Sequence, residues 1–230
     1  MKIQRVSFSN PSFGSNRKKF DVQGHIGTMY DNGQKVTYNS QNIIDTVEPN
    51  NVKKVLVSSL SGLNSLGQDT FCSESDSAKE ITAMKGNDNV KLLPLLSCQP
   101  GIAKDTTVAE QLLSENKFYG LKFHPSNTDK PIKDNFEAYS KYISLAEKKG
   151  LPCVFHSVTD GKSDPAEIIK LAEQHPKHPI ILYHIDLASK PEQMTKTIDA
   201  ISNSVKAGKS NLFVDISWLT NLWDNAEQNK

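Results

Sequence analysis

The sequence predicts an α/β chain built around parallel strands, and three observations carry that expectation. From about residue 50 onward, short β-branched runs alternate with segments of helical periodicity, as βα units feeding a parallel sheet require. Several of those runs, Val-Leu-Val at 55–57, Cys-Val-Phe at 153–155 and Ile-Ile-Leu at 180–182, are apolar on consecutive residues, which suits strands buried on both faces. The later strands begin near residues 119, 152, 180 and 212, a recurrence of roughly thirty residues, the size of one βα unit.

Taken in order, the expected strands are Phe20 to Val22, Val52 to Ser58, Val90 to Leu96, Tyr119 to His124, Pro152 to His156, Ile180 to His184 and Leu212 to Ser217. Phe136, Tyr139, Ile143 and Ala146 recur at spacings of three and four, so they share one face of a helix that Gly150 stops. The next helix opens on Asp164 as N-cap with Pro165 in its first turn, turns Ile168, Leu171 and Ala172 inward, and ends at His175-Pro176. A third runs from about Pro191 to Val205 and is closed by Gly208. The first 18 residues are Ser- and Asn-rich with four basic residues, and read as a loose tail ahead of a single domain over 19–230.

Composition narrows the function classes. With 27 Lys plus Arg against 26 Asp plus Glu, the formal charge is +1, so the field that nucleic acid or an anionic membrane would require is missing. The expected partner is a small-molecule substrate; self-association into a homo-oligomer is left open. No apolar stretch near the N-terminus has the length of a signal peptide, and Leu92 to Leu96 is too short to span a bilayer, so a cytoplasmic protein is expected. Cys72, Cys98 and Cys153 are odd in number and lack metal-type pair spacing, which suits reduced thiols.

Of six histidines, His25, His124, His156 and His184 fall at or just past the end of an expected strand, while His175 and His178 fall in a helix-to-strand connection. In a (β/α) TIM-type barrel all strand C-termini open on one face, so these four imidazoles would meet around one pocket. Singly each reads as a satisfied polar residue at a strand end; jointly they match the donor type of a catalytic zinc site, about three protein ligands with an open position for water.

Asp21-Val22-Gln23-Gly24-His25-Ile26-Gly27 resembles the first-strand motif of the amidohydrolase-related family, which includes aminocarboxymuconate semialdehyde decarboxylase and related metal-dependent hydrolases. Gly120-Leu121-Lys122-Phe123-His124-Pro125 is similar to that family's fourth-strand segment, Pro152 to His156 to the fifth, Ile180 to His184 to the sixth and Asn211 to Ser217 to the seventh. The resemblance implies a divalent metal ion, zinc or manganese, with His25 and His156 as ligands and His184 as either a ligand or the base that activates bound water. It implies hydrolysis of an amide, ester or lactone, or decarboxylation by the same metal; a non-catalytic or truncated relative is the alternative from another class. Lys122 is carboxylated in some relatives, but as a strand-end cation it reads here as a substrate contact, with His124 beside it.

Two features depart from the pattern. The family's first strand carries His or Glu two residues before its histidine, whereas this chain has Gln23, whose uncharged amide oxygen would be a weak third ligand. An eighth strand ending in aspartate is also expected but not found: seven strands are used by Ser217, and the 13 residues from Trp218 to Lys230 hold no further apolar run. Asp215 and Asp224 are the only late aspartates, and neither fits that role. The sequence therefore reads as a TIM-type barrel lacking its eighth strand. Its unpaired edges would need a cover: the alternating segment Ile3 to Phe8, a partner chain, or the remainder of a longer gene product.

Overall fold

In the computed structural model the described residues are 19–31, 34–61, 73–128, 130–184 and 191–215. The tail with Ile3 to Phe8, Cys72, the last residues of the seventh expected strand and Trp218 to Lys230 with Asp224 lie outside them. The chain divides into two compact units, Met1–Ser97 with Asn116–Tyr119, and Cys98–Glu115 with Gly120–Lys230. Among the described residues no helix is long and apolar enough to cross a membrane.

The first unit is built on β1 (Lys19–Asp31), β2 (Gln34–Tyr38), β3 (Val52–Ser59) and β4 (Lys91–Pro94), in the sheet order β2-β1-β3-β4. β1 pairs in parallel with β3, and β3 with β4. Val55, Leu56, Val57, Ser58 and Ser59 on β3 are all buried, the two-faced burial expected of a strand inside a parallel sheet. α1 (Ser40–Val47) buries Ile43, Ile44 and Val47, and α2 (Glu74–Thr82) buries Ala78 and Ile81. α1 begins with a reciprocal cap: the Asn39 side chain accepts from the Asn42 N–H at 3.1 Å, and Asn42 from the Asn39 N–H at 2.8 Å.

The expected first strand, Phe20 to Val22, is the start of a 13-residue strand that changes partner. Its parallel pairing with β3 ends at Ile26 opposite Ser59; from Gly27 onward it pairs antiparallel with β2. Gly27 makes the change possible. Its φ is +109°, and a Cβ there would lie 2.7 Å from a carboxylate oxygen of Glu80, which also accepts hydrogen bonds from Ser59 and Ser61. Gly27→Ala is expected to destabilise the protein by about 1–3 kcal/mol, read from the urea midpoint. The double variant Gly27→Ala/Glu80→Ala should recover only the part due to the clash.

The chain passes from the first unit to the second through β5 (Leu96–Cys98), so the run expected at Val90 to Leu96 is two strands interrupted near Pro94. In the second unit β6 (Leu121–Phe123), β7 (Cys153–His156), β8 (Pro179–Tyr183) and β9 (Asn211–Val214) lie side by side in parallel. α3 (Thr107–Glu115) precedes β6, and α4 (Phe136–Lys149), α5 (Pro165–Gln174) and α6 (Pro191–Lys206) connect the strands. α4 ends where the sequence places its stop, Gly150 closing it at φ +66°. Asp164 occupies the N-cap of α5, but its side chain accepts from the Gly161 N–H at 2.9 Å rather than from the helix's first turn.

Pairing in register fixes which face each residue of this sheet takes. Leu121, Phe123, Cys153, Phe155, Ile180, Leu182 and Leu212 share the buried apolar face. There Phe123 stacks on Phe155 at 4.6 Å between ring centroids, and Tyr139 of α4 packs 5.8 Å from Phe123. Each such side chain contributes about 1.5–3 kcal/mol by burial.

His175 and His178 lie where the sequence puts them, between α5 and β8, and both are buried. His175 Nε2 pairs with the Ser140 hydroxyl at 3.0 Å. Burial, with help from His175 and against Glu147, holds His178 below the usual imidazole range. A histidine kept neutral by the fold binds a proton more readily once unfolded. Stability is therefore fully present above pH about 6.5 and falls on acidification below it, with a slope of at most one proton. Urea titrations across this range should show that slope, and His178→Leu should remove it.

Candidate functional site

The face of the β6–β9 sheet opposite the aromatic core carries the polar residues. Lys122, Val154, Ile181 and Phe213 form one row across it by direct pairing. The next row, two residues nearer the strands' C-terminal ends, is His124, His156, Tyr183 and Asp215, with His156 paired to Tyr183. Alternation along each strand and in-register pairing between strands thus bring together residues up to 93 positions apart.

Within this cluster the His124 and His156 rings stack face to face, 3.9 Å between centroids and 10° between planes. The His184 ring meets His156 edge-on at 5.0 Å and 73°. Stacked imidazoles keep their lone pairs in two separate, nearly parallel planes, so His124 and His156 are poorly placed to aim at one ion. The His156–His184 pair differs: two imidazoles sharing one tetrahedral ion at about 2.1 Å per bond have centroids about 5 Å apart. Two imidazoles here have the spacing of metal ligands. Among the described residues no group of three or more His, Cys, Asp or Glu side chains is arranged to hold a metal ion.

His184 follows the last residue of β8 and sits in the left-handed region at φ +62°, where histidine is one of the few side chains that occurs with any frequency. Both its backbone groups are engaged. Its N–H donates to the Asp215 carboxylate at 3.2 Å, and its carbonyl accepts from the buried Ser157 hydroxyl at 3.5 Å. Burial, and then the nearby Lys122 charge, lower the imidazole pKa to about 4 while Asp215 opposes them, so the ring is neutral at physiological pH.

Lys122 is only 1% exposed. Its Nζ lies 3.8 Å from the centre of the Tyr183 ring, within cation–π range. Burial lowers its pKa to about 7, and the Asp215 charge works in the opposite direction. Asp215 itself is 8% exposed.

Asp215 is the residue that sequence reasoning set aside. The expected seventh strand encloses Asp215, whereas in the structure it follows the last residue of β9, on the same row as His156 and Tyr183. The signal was available, since it ends an apolar strand exactly as the histidines end theirs. Ser157 went unremarked because a serine after a strand-end histidine has no distinctive pattern.

His25 and Gln23 belong to the first unit. His25 pairs with Ser58 on β3, and its Nδ1 shares a hydrogen bond with the Ser58 hydroxyl at 2.9 Å. It lies one residue before the parallel pairing ends, so it occupies the strand-end position expected of it although β1 itself continues. Between the pairs Asp21–Val55 and Gly24–Val57, residues 22 and 23 together face Leu56 alone. Gln23 thus sits in a β-bulge, with its N–H donating to the Asp21 carboxylate at 2.9 Å. The regular alternation from residue 21 through 25, assumed when Gln23 and His25 are read as a ligand pair, is broken there.

No protein-family model matches the chain, and no curated protein matches it in sequence. Among solved structures it is similar to the probable 2-pyrone-4,6-dicarboxylic acid hydrolase of Acinetobacter baumannii, crystallised with citric acid bound. That likeness is 11% identical, with a TM-score of 0.48 over 87% of this chain and 84% of that one. It is similar also to the dihydroorotase of Campylobacter jejuni, 16% identical, with a TM-score of 0.52 over 86% of this chain and 54% of that one. The chain therefore spans about half the length of the dihydroorotase. Both neighbours are amidohydrolase-superfamily proteins with TIM-barrel folds. The dihydroorotase likeness concerns fold, and agrees with what the strands show directly: an α/β chain whose parallel strands carry their polar residues at the C-terminal ends.

Proposed function

We propose that this chain is a (β/α)-barrel hydrolase of the amidohydrolase-related type, acting on a small carbonyl compound such as an amide, ester or lactone. The observation that carries the reading is the row His124, His156, Tyr183 and Asp215 with Lys122 beneath it, one polar face at the C-terminal ends of four parallel strands. In the proposed reaction the neutral His184 ring takes a proton from the attacking water as its oxygen bonds to the carbonyl carbon, and returns it to the leaving group. Asp215 and Ser157 hold His184 through its backbone, and Lys122 faces the carbonyl or carboxylate oxygen of the substrate. A divalent cation, zinc or manganese, is the alternative use of the same pair: His156 and His184 would then hold it, in place of His184 acting as a free base, and it would supply polarisation of the carbonyl and a more acidic water.

The test is a panel of small amides, esters and lactones offered to the full chain with and without added zinc or manganese, and with a chelator. Turnover that the metal raises and the chelator removes supports the ion at the His156–His184 pair. Turnover indifferent to both keeps His184 as a free base. Absence of turnover on every substrate, or turnover unchanged in His156→Ala, would overturn the reading.

A further inference from the structure

Lys122 offers chemistry that hydrolysis does not use. A lysine ammonium is strongly hydrated and ordinarily stays in water, yet this one is buried on a strand in the middle of a sheet. Among the described residues no carboxylate lies within salt-bridge distance of it: its Nζ meets the π face of Tyr183, with Asp215 acting on it through charge. Directly above it on the same face lie His124 and His156, both half-buried, so the amine sits one row beneath the imidazoles. Burial disfavours the charged form of this lysine, while Tyr183 and Asp215 work in the opposite direction without offsetting it.

We infer that Lys122 is a carbonyl-reactive amine that forms an imine with a small aldehyde or ketone. Its nitrogen lone pair attacks the carbonyl carbon, forming a C–N bond, the C=O π bond breaks, and one N–H proton passes to the carbonyl oxygen, which becomes a hydroxyl. That hydroxyl then leaves as water with a second proton, which the imidazoles above the amine are placed to deliver, and the C=N bond forms. No oxidant or reductant is needed. The product iminium carries its positive charge where the ammonium carried it, over the Tyr183 ring and near the Asp215 carboxylate. The same groups that tolerate the charged lysine would therefore stabilise the adduct.

Availability of the neutral amine sets the expected size of the effect. An exposed lysine near pKa 10.4 is neutral in about one molecule in a few thousand at pH 7, whereas a lysine titrating near 7 is neutral in about half. That is a gain of about 10³ in reactive amine, reduced by lower intrinsic nucleophilicity and by burial. Lys122 is expected to be labelled at least about tenfold faster than any exposed lysine.

The experiment incubates the full chain with pyruvate or glyoxylate and cyanoborohydride, across pH about 6 to about 9, and locates the reduced adduct by peptide mass spectrometry. The expected result is one preferred adduct, on Lys122, whose rate climbs through pH about 7 and levels off above it, while labelling of other lysines keeps rising. Lys122→Arg and Lys122→Met should both lose that adduct, with thermal melts confirming that at least one of them is folded. Labelling spread evenly over the exposed lysines, or an adduct pattern unchanged in the variants, would overturn the inference. The inference does not rest on hydrolysis, since imine trapping and turnover on the amide, ester and lactone panel are read independently.

Discussion

Replacing His184 with asparagine is expected to lower hydrolytic turnover by about 10²–10⁴-fold, the range for removing a positioned general base. Asparagine is the informative substitution because it tolerates the left-handed backbone at φ +62°. Alanine there would add backbone strain to the loss of the ring. The backbone N–H donated to Asp215 stays in place, so the variant isolates the imidazole. The pH profile gives a second check. With the ring held near pKa 4 by burial and by Lys122, the base remains neutral well below the usual imidazole range. The acid limb of kcat/KM should lie clearly below pH 6.5 in the wild type, and the rate remaining in His184→Asn should lack that limb. A limb at pH 6.5, or a loss of less than about threefold in turnover, would remove His184 from the role of base.

The second large effect is on stability. Lys122 loses its proton near pH 7 in the folded protein and near 10.5 in the unfolded chain. Between these values the unfolded state binds more protons, so folding stability rises with pH across the window and is level outside it as far as this group is concerned. Each pKa unit corresponds to about 1.4 kcal/mol, so the difference between wild type and Lys122→Met should change by about 3–5 kcal/mol between pH 7 and 10. Comparing the two proteins cancels the titration of the exposed lysines and tyrosines. Below pH 7, Lys122→Met should be the more stable protein, unless Asp215 left alone costs as much as the buried ammonium. The double variant Lys122→Met/Asp215→Asn decides this, because it removes both charges at once. A pH-independent difference between wild type and Lys122→Met would show that Lys122 keeps an ordinary pKa and that its burial carries no electrostatic cost.

The parallel strands at 52, 121, 153, 180 and 211 were legible because each is a short apolar run bounded by turn residues, and that pattern is local. The helices at 136, 165 and 191 were legible for the same reason, with Gly150 and Pro165 marking ends. α1, α2 and α3 escaped notice: each is no more than nine residues long, and α3 buries only Ala109, too few positions to establish a period. β2 escaped because Gln34–Tyr38 is polar and mostly exposed, with no apolar face to reveal it.

By itself the sequence determined that His124, His156 and His184 would end strands of one parallel sheet, because strand periodicity and strand ends are properties of neighbouring residues. Only the tertiary structure decided what those ends do together. The stack of His124 on His156, the edge-on approach of His184 and the charge of Asp215 near Lys122 all depend on which strands pair and in what register. Two further features lay beyond local reading. The bulge that takes up Gln23 lies within the pairing of β1 with β3, and the change of partner at Gly27 lies where β1 leaves β3 for β2; both are properties of the pairing rather than of the local pattern. The lowered pKa values of Lys122 and His184 come first from burial, and burial exists only once the sheet and its surroundings have excluded water from side chains that the sequence marks as polar.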